Sequence, residues 1–273
     1  MSNKNTYTIS LLEKITQLPH HFDRAAIVMD KLGVNDFAFF GGAVRDMIAG
    51  RKPSDINVLA TMPRNDPFWM SVRKEIENFP ETKLLSTKVF HSSGALQQIF
   101  HDAGLRFVSA NRSPRHMAVK FIHAAKSPNP LEIDVNFNDR SVAISEKFPV
   151  AESPAHAMVL TRDGRLYGEQ NSIEHAKSSI FEIRSGLSPF YLIKALIRYE
   201  KIRAKIPEMT VQTEIGGNSK LVDAWTAIDR LTGIPHKAAL ALRAYRNKIT
   251  EPSDRVVYDR GFVNPINPAS RPQ

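Results

Sequence analysis

Apolar residues along this chain switch between two spacings, and the switch points lay out its elements. Leu11, Leu12 and Ile15, then Phe22, Ala25, Ala26, Met29 and Leu32, recur at intervals of three and four, which predicts two amphipathic helices. Residues 36–40 form a short apolar run ending in a glycine pair, the pattern of a strand, and 43–49 return to helical spacing. A second strand is expected over 55–60. Beyond it, 67–78 and 94–103 predict helices, and 105–109, 117–122 and 131–137 predict strands. A hairpin is expected where 158–160 and 165–167 flank Arg162-Asp163-Gly164, a good turn sequence. From 188 to 249 the spacing is helical throughout, with helices expected over 189–205, 219–231 and 235–248.

Mixed helix and strand giving way to helix alone predicts an α/β head with a mixed sheet over 1–185 and an all-helical neck and body over 186–250. The last stretch, 251–273, holds four prolines and no periodicity and is expected to be an arm or tail. A length of 273 residues is enough for one large domain or two smaller ones. No run approaches the roughly 18 apolar residues of a membrane span, so no membrane partner is expected. The start MSNKNTYTIS lacks the apolar core of a signal peptide. The chain has no cysteine, which excludes disulfides and thiolate metal sites and makes a cytoplasmic location the expectation.

Charge narrows the partners. A formal net charge of +9 favours a polyanion such as RNA. In the helical part Lys194, Arg198, Lys201 and Arg243 are candidates to line a groove for an RNA backbone. The bland reading is that they are the solvated faces of helices. Tyr191, Tyr199 and Tyr245 stand nearby and could stack bases or pack in the core. The nine histidines include no HExxH spacing, and no serine sits in a GxSxG elbow, so neither a zinc protease nor that class of hydrolase is expected.

The candidate chemistry lies in the stretch FFGGAVRDMIAGRKPSDINVL, residues 39–59. A strand that ends in Gly41-Gly42 and runs at once into a helix offers bare backbone N–H groups to a phosphate, and no Cβ atom blocks its approach. Arg45 and Asp46 fall on the first turn of that helix. Alternation on the following strand puts Asp55 and Asn57 on one face, with Ile56 and Val58 on the other. Taken alone, the glycine pair is better explained by a turn and a half-buried strand with polar residues facing water.

The whole string is more specific than its glycines. GGAVRDMIAGRKPSDINV resembles the head motif of the class II nucleotidyltransferases, the tRNA CCA-adding enzymes and bacterial poly(A) polymerases, whose pattern is GGxVRDxLLGRxPxDxDhxT with h apolar. Gly41, Gly42, Val44, Arg45, Asp46, Gly50, Arg51, Pro53 and Asp55 stand where the pattern asks for them. The resemblance continues to about residue 204 and implies a polymerase-β-like head. It implies that Gly41, Gly42, Arg45, Asp46 and Arg140 contact an NTP, and that Asp55 holds Mg²⁺ or Mn²⁺ together with Glu132 or Asp134. Either of those two fits as the third carboxylate. The implied activity is metal-dependent transfer of a nucleotide from an NTP to an RNA 3′-end or another hydroxyl acceptor.

Departures from the pattern bear on that activity. Asn57 stands where a second metal-binding aspartate belongs, and a neutral amide binds Mg²⁺ less strongly than a carboxylate. The family's Arg-Asp-Phe-Thr segment is Arg140-Ser141-Val142-Ala143 here. Its base-reading neck, Glu-Asp-Pro-Leu-Arg-x-x-Arg, is Leu187-Ser188-Pro189-Phe190-Tyr191-Leu192-Ile193-Lys194, so the base-reading aspartate and its arginine are gone. Three accounts fit Asn57: a natural site in which Glu132 and Asp134 compensate, an engineered replacement, or an inactive head kept as an RNA- or protein-binding module.

Overall fold

A computed structural model describes residues 9–78, 93–113, 116–124, 126–138, 153–183, 195, 198–199, 202 and 205–213 of the chain. The chain divides into two units, 1–151 with 155–177 and 152–154 with 178–273. The first holds strand β1 (Ser10–Lys14), helix α1 (His20–Lys31), β2 (Phe37–Phe40), α2 (Gly42–Ile48), β3 (Ile56–Thr61), α3 (Pro67–Glu77) and α4 (Gly94–Asp102). It continues with β4 (Leu105–Ser113), β5 (His116–His123), β6 (Leu131–Asn138), β7 (Val159–Thr161), β8 (Arg165–Gly168) and α5 (Ser172–Lys177). Its eight strands form one mixed sheet in the order β1-β8-β7-β2-β3-β6-β5-β4. Among the described residues of this sheet, β3 and β6 pair in parallel and the other ladders are antiparallel.

Alternation along the strands builds the core. Ile56, Val58 and Ala60 of β3 and Ile133, Val135 and Phe137 of β6 enter one apolar cluster, together with Phe39 of β2 and Phe121 of β5. Helices cover this cluster with the faces their spacing marks. Phe22, Ala25, Ala26 and Met29 of α1 are buried, and Phe22 meets Phe39 edge to face at 5.0 Å between ring centres. Asp66 caps α3 by accepting from the Trp69 N–H at 3.1 Å, with Pro67 at the first helical position. That start aims Trp69 into the core, where its indole N–H donates to the Leu32 carbonyl at 2.6 Å. Ser93 caps α4 in the same way.

Most expected elements form close to their expected bounds. The stretch around Leu11, Leu12 and Ile15 is a correction, because Ser10–Lys14 is an edge strand paired with β8 and not a helix. Three apolar residues cannot nucleate a helix against the cost of its first turn. The β8 ladder and the bond from the Ile15 N–H to the Gly164 carbonyl, 2.8 Å, supply the backbone partners instead. Helix α5 was not signalled by the pattern. In the second unit, β9 (Ile180–Ile183) pairs in parallel with β10 (Thr210–Thr213), which corrects the expectation that 186–250 is helical throughout. Ala195, Arg198, Tyr199 and Ile202 have helical backbone, in keeping with a helix over 189–205. The helices expected over 219–231 and 235–248, the tail 251–273 and the boundaries near 185 and 250 lie outside the described residues.

Gly164 closes the β7–β8 hairpin with φ +81°, and a Cβ built there would lie 2.1 Å from the Ile15 carbonyl oxygen. Gly164→Ala is therefore expected to destabilise by about 2 kcal/mol or more, through backbone strain and overlap with a chain that has no room to move. Gly94→Ala, which meets nothing within 4 Å, is expected to stay within about 0.5 kcal/mol. Urea unfolding of the two variants checks the contrast.

Candidate functional site

The site grows from the register of three adjacent strands. Asn57 on β3 lies opposite Asp134 on β6, and Asp134 lies opposite Lys120 on β5. A lateral row of three polar residues thus crosses the sheet on the face turned away from Ile56, Val58, Ile133 and Val135. Glu132, two residues before Asp134, shares that face. Asp55 sits in the bend just before β3, level with Glu132.

Lys120 ties these groups together. Its Nζ lies 2.5 Å from Glu132 Oε1 and 3.1 Å from Asp55 Oδ2. The lysine side chain is only 6% exposed, whereas the two carboxylates are 31% and 35% exposed. The cation is therefore at the floor of the site and the anions at its rim. Burial works against the ammonium, but the hydrogen bond to Glu132 and the charges of Asp55 and Asp134 outweigh it and hold its pKa above the ordinary lysine range. Ser54 Oγ donates to Asp55 Oδ1 at 3.1 Å and fixes the other side of that carboxylate. A cleft of about 340 Å³ opens beside the pair, lined by His21, Lys52, Ser54, Asp55, Asn129 and Glu132 among others. Burial, then the Lys52 charge, holds the His21 imidazole below its usual range.

Strand β2 delivers the glycine pair to the same region. Gly41 adopts φ +70° and ψ −136°, a conformation open to glycine and strained for other residues, and α2 begins at Gly42. A Cβ on Gly41 would meet Asn57 Oδ1 at 3.5 Å, so the turn borders the polar row directly. Arg45 is buried, at 6% exposure. Its Nε and Nη2 donate to Asp46 Oδ1 at 2.8 and 2.5 Å, and its Nη1 lies 2.6 Å from His156 Nε2. A guanidinium has only donors, so that nitrogen of His156 accepts. Arg51 approaches the same Asp46 oxygen at 3.8 Å. As folded, Arg45 and Asp46 brace the start of α2.

The fold thus brings Asp55, Asn57, Glu132 and Asp134 onto one face beside Gly41. Arg140, Lys194, Lys201 and Arg243 lie outside the described residues, and Arg198 is half-buried in the second unit. Sequence reasoning missed two residues of the site. Lys120 left a signal, a charge at the centre of the apolar run Met117-Ala118-Val119-Lys120-Phe121-Ile122. His156 left none, because only the fold carries it to Arg45. The carboxylate set does not fit a pair of divalent ions as arranged. Lys120 occupies the space between two of the expected ligands, Asn57 adds no charge, and among the described residues no group of three or more His, Asp or Glu is placed to hold a metal.

No family model and no curated protein matches the chain. Solved structures do. A CCA-adding enzyme in complex with ATP is similar at a TM-score of 0.55 and 14% identity, over 97% of this chain and 58% of that one. The Thermotoga maritima CCA-adding enzyme complexed with tRNA(CCA) is similar at a TM-score of 0.55 and 16% identity, over 97% and 58%. A CCA-adding enzyme with CTP gives a TM-score of 0.51 at 14% identity, over 92% and 53%. At such identities the likeness shows the fold alone, the one these CCA-adding enzyme structures have in common with this chain. The chain spans little more than half the length of these structures.

Removing one partner of the Lys120 cluster leaves a buried cation undercompensated. Glu132→Ala is expected to lower stability by about 1–3 kcal/mol, the usual penalty being reduced because Glu132 is partly exposed. Glu132→Gln, which keeps an acceptor for the ammonium, is expected to lose less, and denaturant midpoints distinguish the two.

Proposed function

We propose that this protein is a nucleotide-binding module of nucleotidyltransferase fold that engages RNA by binding rather than by turnover. The observation that carries the reading is the placement of the Gly41–Gly42 turn against the polar row of β3, β6 and β5, in a fold whose solved relatives are complexed with ATP, CTP or tRNA. In this reading the turn holds the triphosphate, with Lys52 beside the cleft supplying positive charge. The C-terminal part supplies the basic side chains for an RNA backbone, Lys194, Arg198, Lys201 and Arg243. Binding is favoured over turnover because Asn57 removes a carboxylate, Lys120 engages two others, and the base-reading Asp and Arg of the neck motif are missing.

A second reading has its own support. Asp55, Glu132 and Asp134 share a sheet face, as metal-dependent transfer from an NTP to an RNA 3′-end would require. In it Arg140 assists on the phosphates.

Incubation of the full chain with labelled ATP or CTP, total RNA and Mg²⁺ or Mn²⁺ separates the two. Saturable nucleotide binding without incorporation into RNA is expected, and Gly41→Val is expected to weaken the binding. Incorporation that disappears in Asp55→Ala would instead establish the transferase. Lack of nucleotide binding under every condition would remove both.

RNA affinity is expected to fall steeply with salt, since neutralised phosphates release counterions, with a log–log slope of about −0.7 per contact on a single strand. Charge reversal at Lys201 and Arg243 is expected to weaken binding for all RNA sequences alike and to flatten that slope. Filter binding across a salt series measures both.

A further inference from the structure

We propose that the Lys120 ammonium is the resident cation of the β3–β6–β5 carboxylate site, and that nucleotide binding there is independent of divalent metal. The proposal deepens the nucleotide-binding reading above and rests on it for its second clause.

The argument is geometric. Asp55 and Glu132 project from neighbouring strand ends toward one point, and the Lys120 Nζ occupies that point at 3.1 and 2.5 Å. Asp134 is the direct cross-strand partner of Lys120, so a third carboxylate shares the surroundings of the ammonium. A divalent ion at this position would compete with the ammonium for the Asp55 and Glu132 carboxylates and would stand within a few ångströms of a fixed positive charge. Both the loss of ligand oxygens and the repulsion oppose it. Lys120 cannot easily withdraw to make room, because its side chain is only 6% exposed and its strand lies between β4 and β6 within the sheet. Asn57, at the far end of the row beyond Asp134, is neutral and offers an entering ion no compensating charge. An ammonium orients and neutralises carboxylates and donates hydrogen bonds, yet it is no Lewis acid and does not activate an attacking hydroxyl as a metal does. Lys120 is thus a positioning residue. It holds the Asp55 and Glu132 carboxylates together without conferring Lewis-acid chemistry.

Mn²⁺ binding to the full-length protein, followed by electron paramagnetic resonance in the absence of nucleotide, tests the first clause. Wild type is expected to show no stoichiometric site. Lys120→Met is expected to gain one, with affinity improved at least about tenfold because the removed charge stood at hydrogen-bond distance from the ligand oxygens. That gain should vanish in Lys120→Met/Glu132→Gln, while Lys120→Arg should keep Mn²⁺ out. A stoichiometric Mn²⁺ site in wild type that is lost in Asp55→Asn would overturn the proposal, whether or not the Lys120 variants fold. So would unchanged Mn²⁺ affinity in a folded Lys120→Met. For the second clause, ATP or CTP affinity of wild type should be the same with EDTA as with Mg²⁺, and a loss of affinity in EDTA would overturn it. Failure of the nucleotide-binding reading gives a different result, no nucleotide bound in either condition, and leaves the Mn²⁺ outcomes intact.

Discussion

The parallel pairing of β3 with β6 is the constraint on which the rest of this head depends. It sets Ile56 beside Ile133, Val58 beside Val135 and Ala60 beside Phe137, and all six enter the apolar cluster under α1, α3 and α4. The same register sets Asn57 beside Asp134 on the other face. A slip of one residue would drive Asp134 and Glu132 into the core and lift Ile133 and Val135 out of it. Burial of the apolar set therefore holds the polar row in place. Site and core are two sides of one ladder, so packing energy positions the charges without any contact dedicated to them.

On the polar side the decisive feature is a cation below its anions. Ion pairs of this kind seldom add stability over an apolar replacement, because desolvation offsets the attraction, but removal of one member is costly. The arrangement therefore favours keeping Lys120, Asp55 and Glu132 together once all three are present. The other cluster, Arg45 with Asp46 and His156, does a related job at the start of α2. It explains why Arg45 and Asp46 can be needed beside the glycine turn even where no phosphate touches them.

Fold and chemistry separate here. The eight-stranded mixed sheet and its likeness to CCA-adding enzyme structures are properties of the backbone. What a head of this fold does is decided by a handful of side chains on one face. The amide of Asn57 and, two strands over, the ammonium of Lys120 set the charge of that face without disturbing a single ladder.

The sequence by itself determined which segments are strands and helices wherever the apolar period ran long enough. Residues 22–32, 67–78 and 131–137 were legible because burial of one face imposes one spacing. The stretch 10–14 was misread and 180–183 passed over, since a few residues carry too little periodicity to choose between helix and strand. The motif from Gly41 to Asp55 was legible as well, because its glycines, arginine and carboxylates lie within one unbroken stretch of chain. Tertiary structure alone decided what surrounds those residues. Lys120 is 65 positions from Asp55 and His156 is 111 from Arg45. A contact between such positions depends on strand order and register, which local spacing does not encode. Electrostatic character at the carboxylates is set by the group that comes to rest against them, and in this protein that group arrives from another strand.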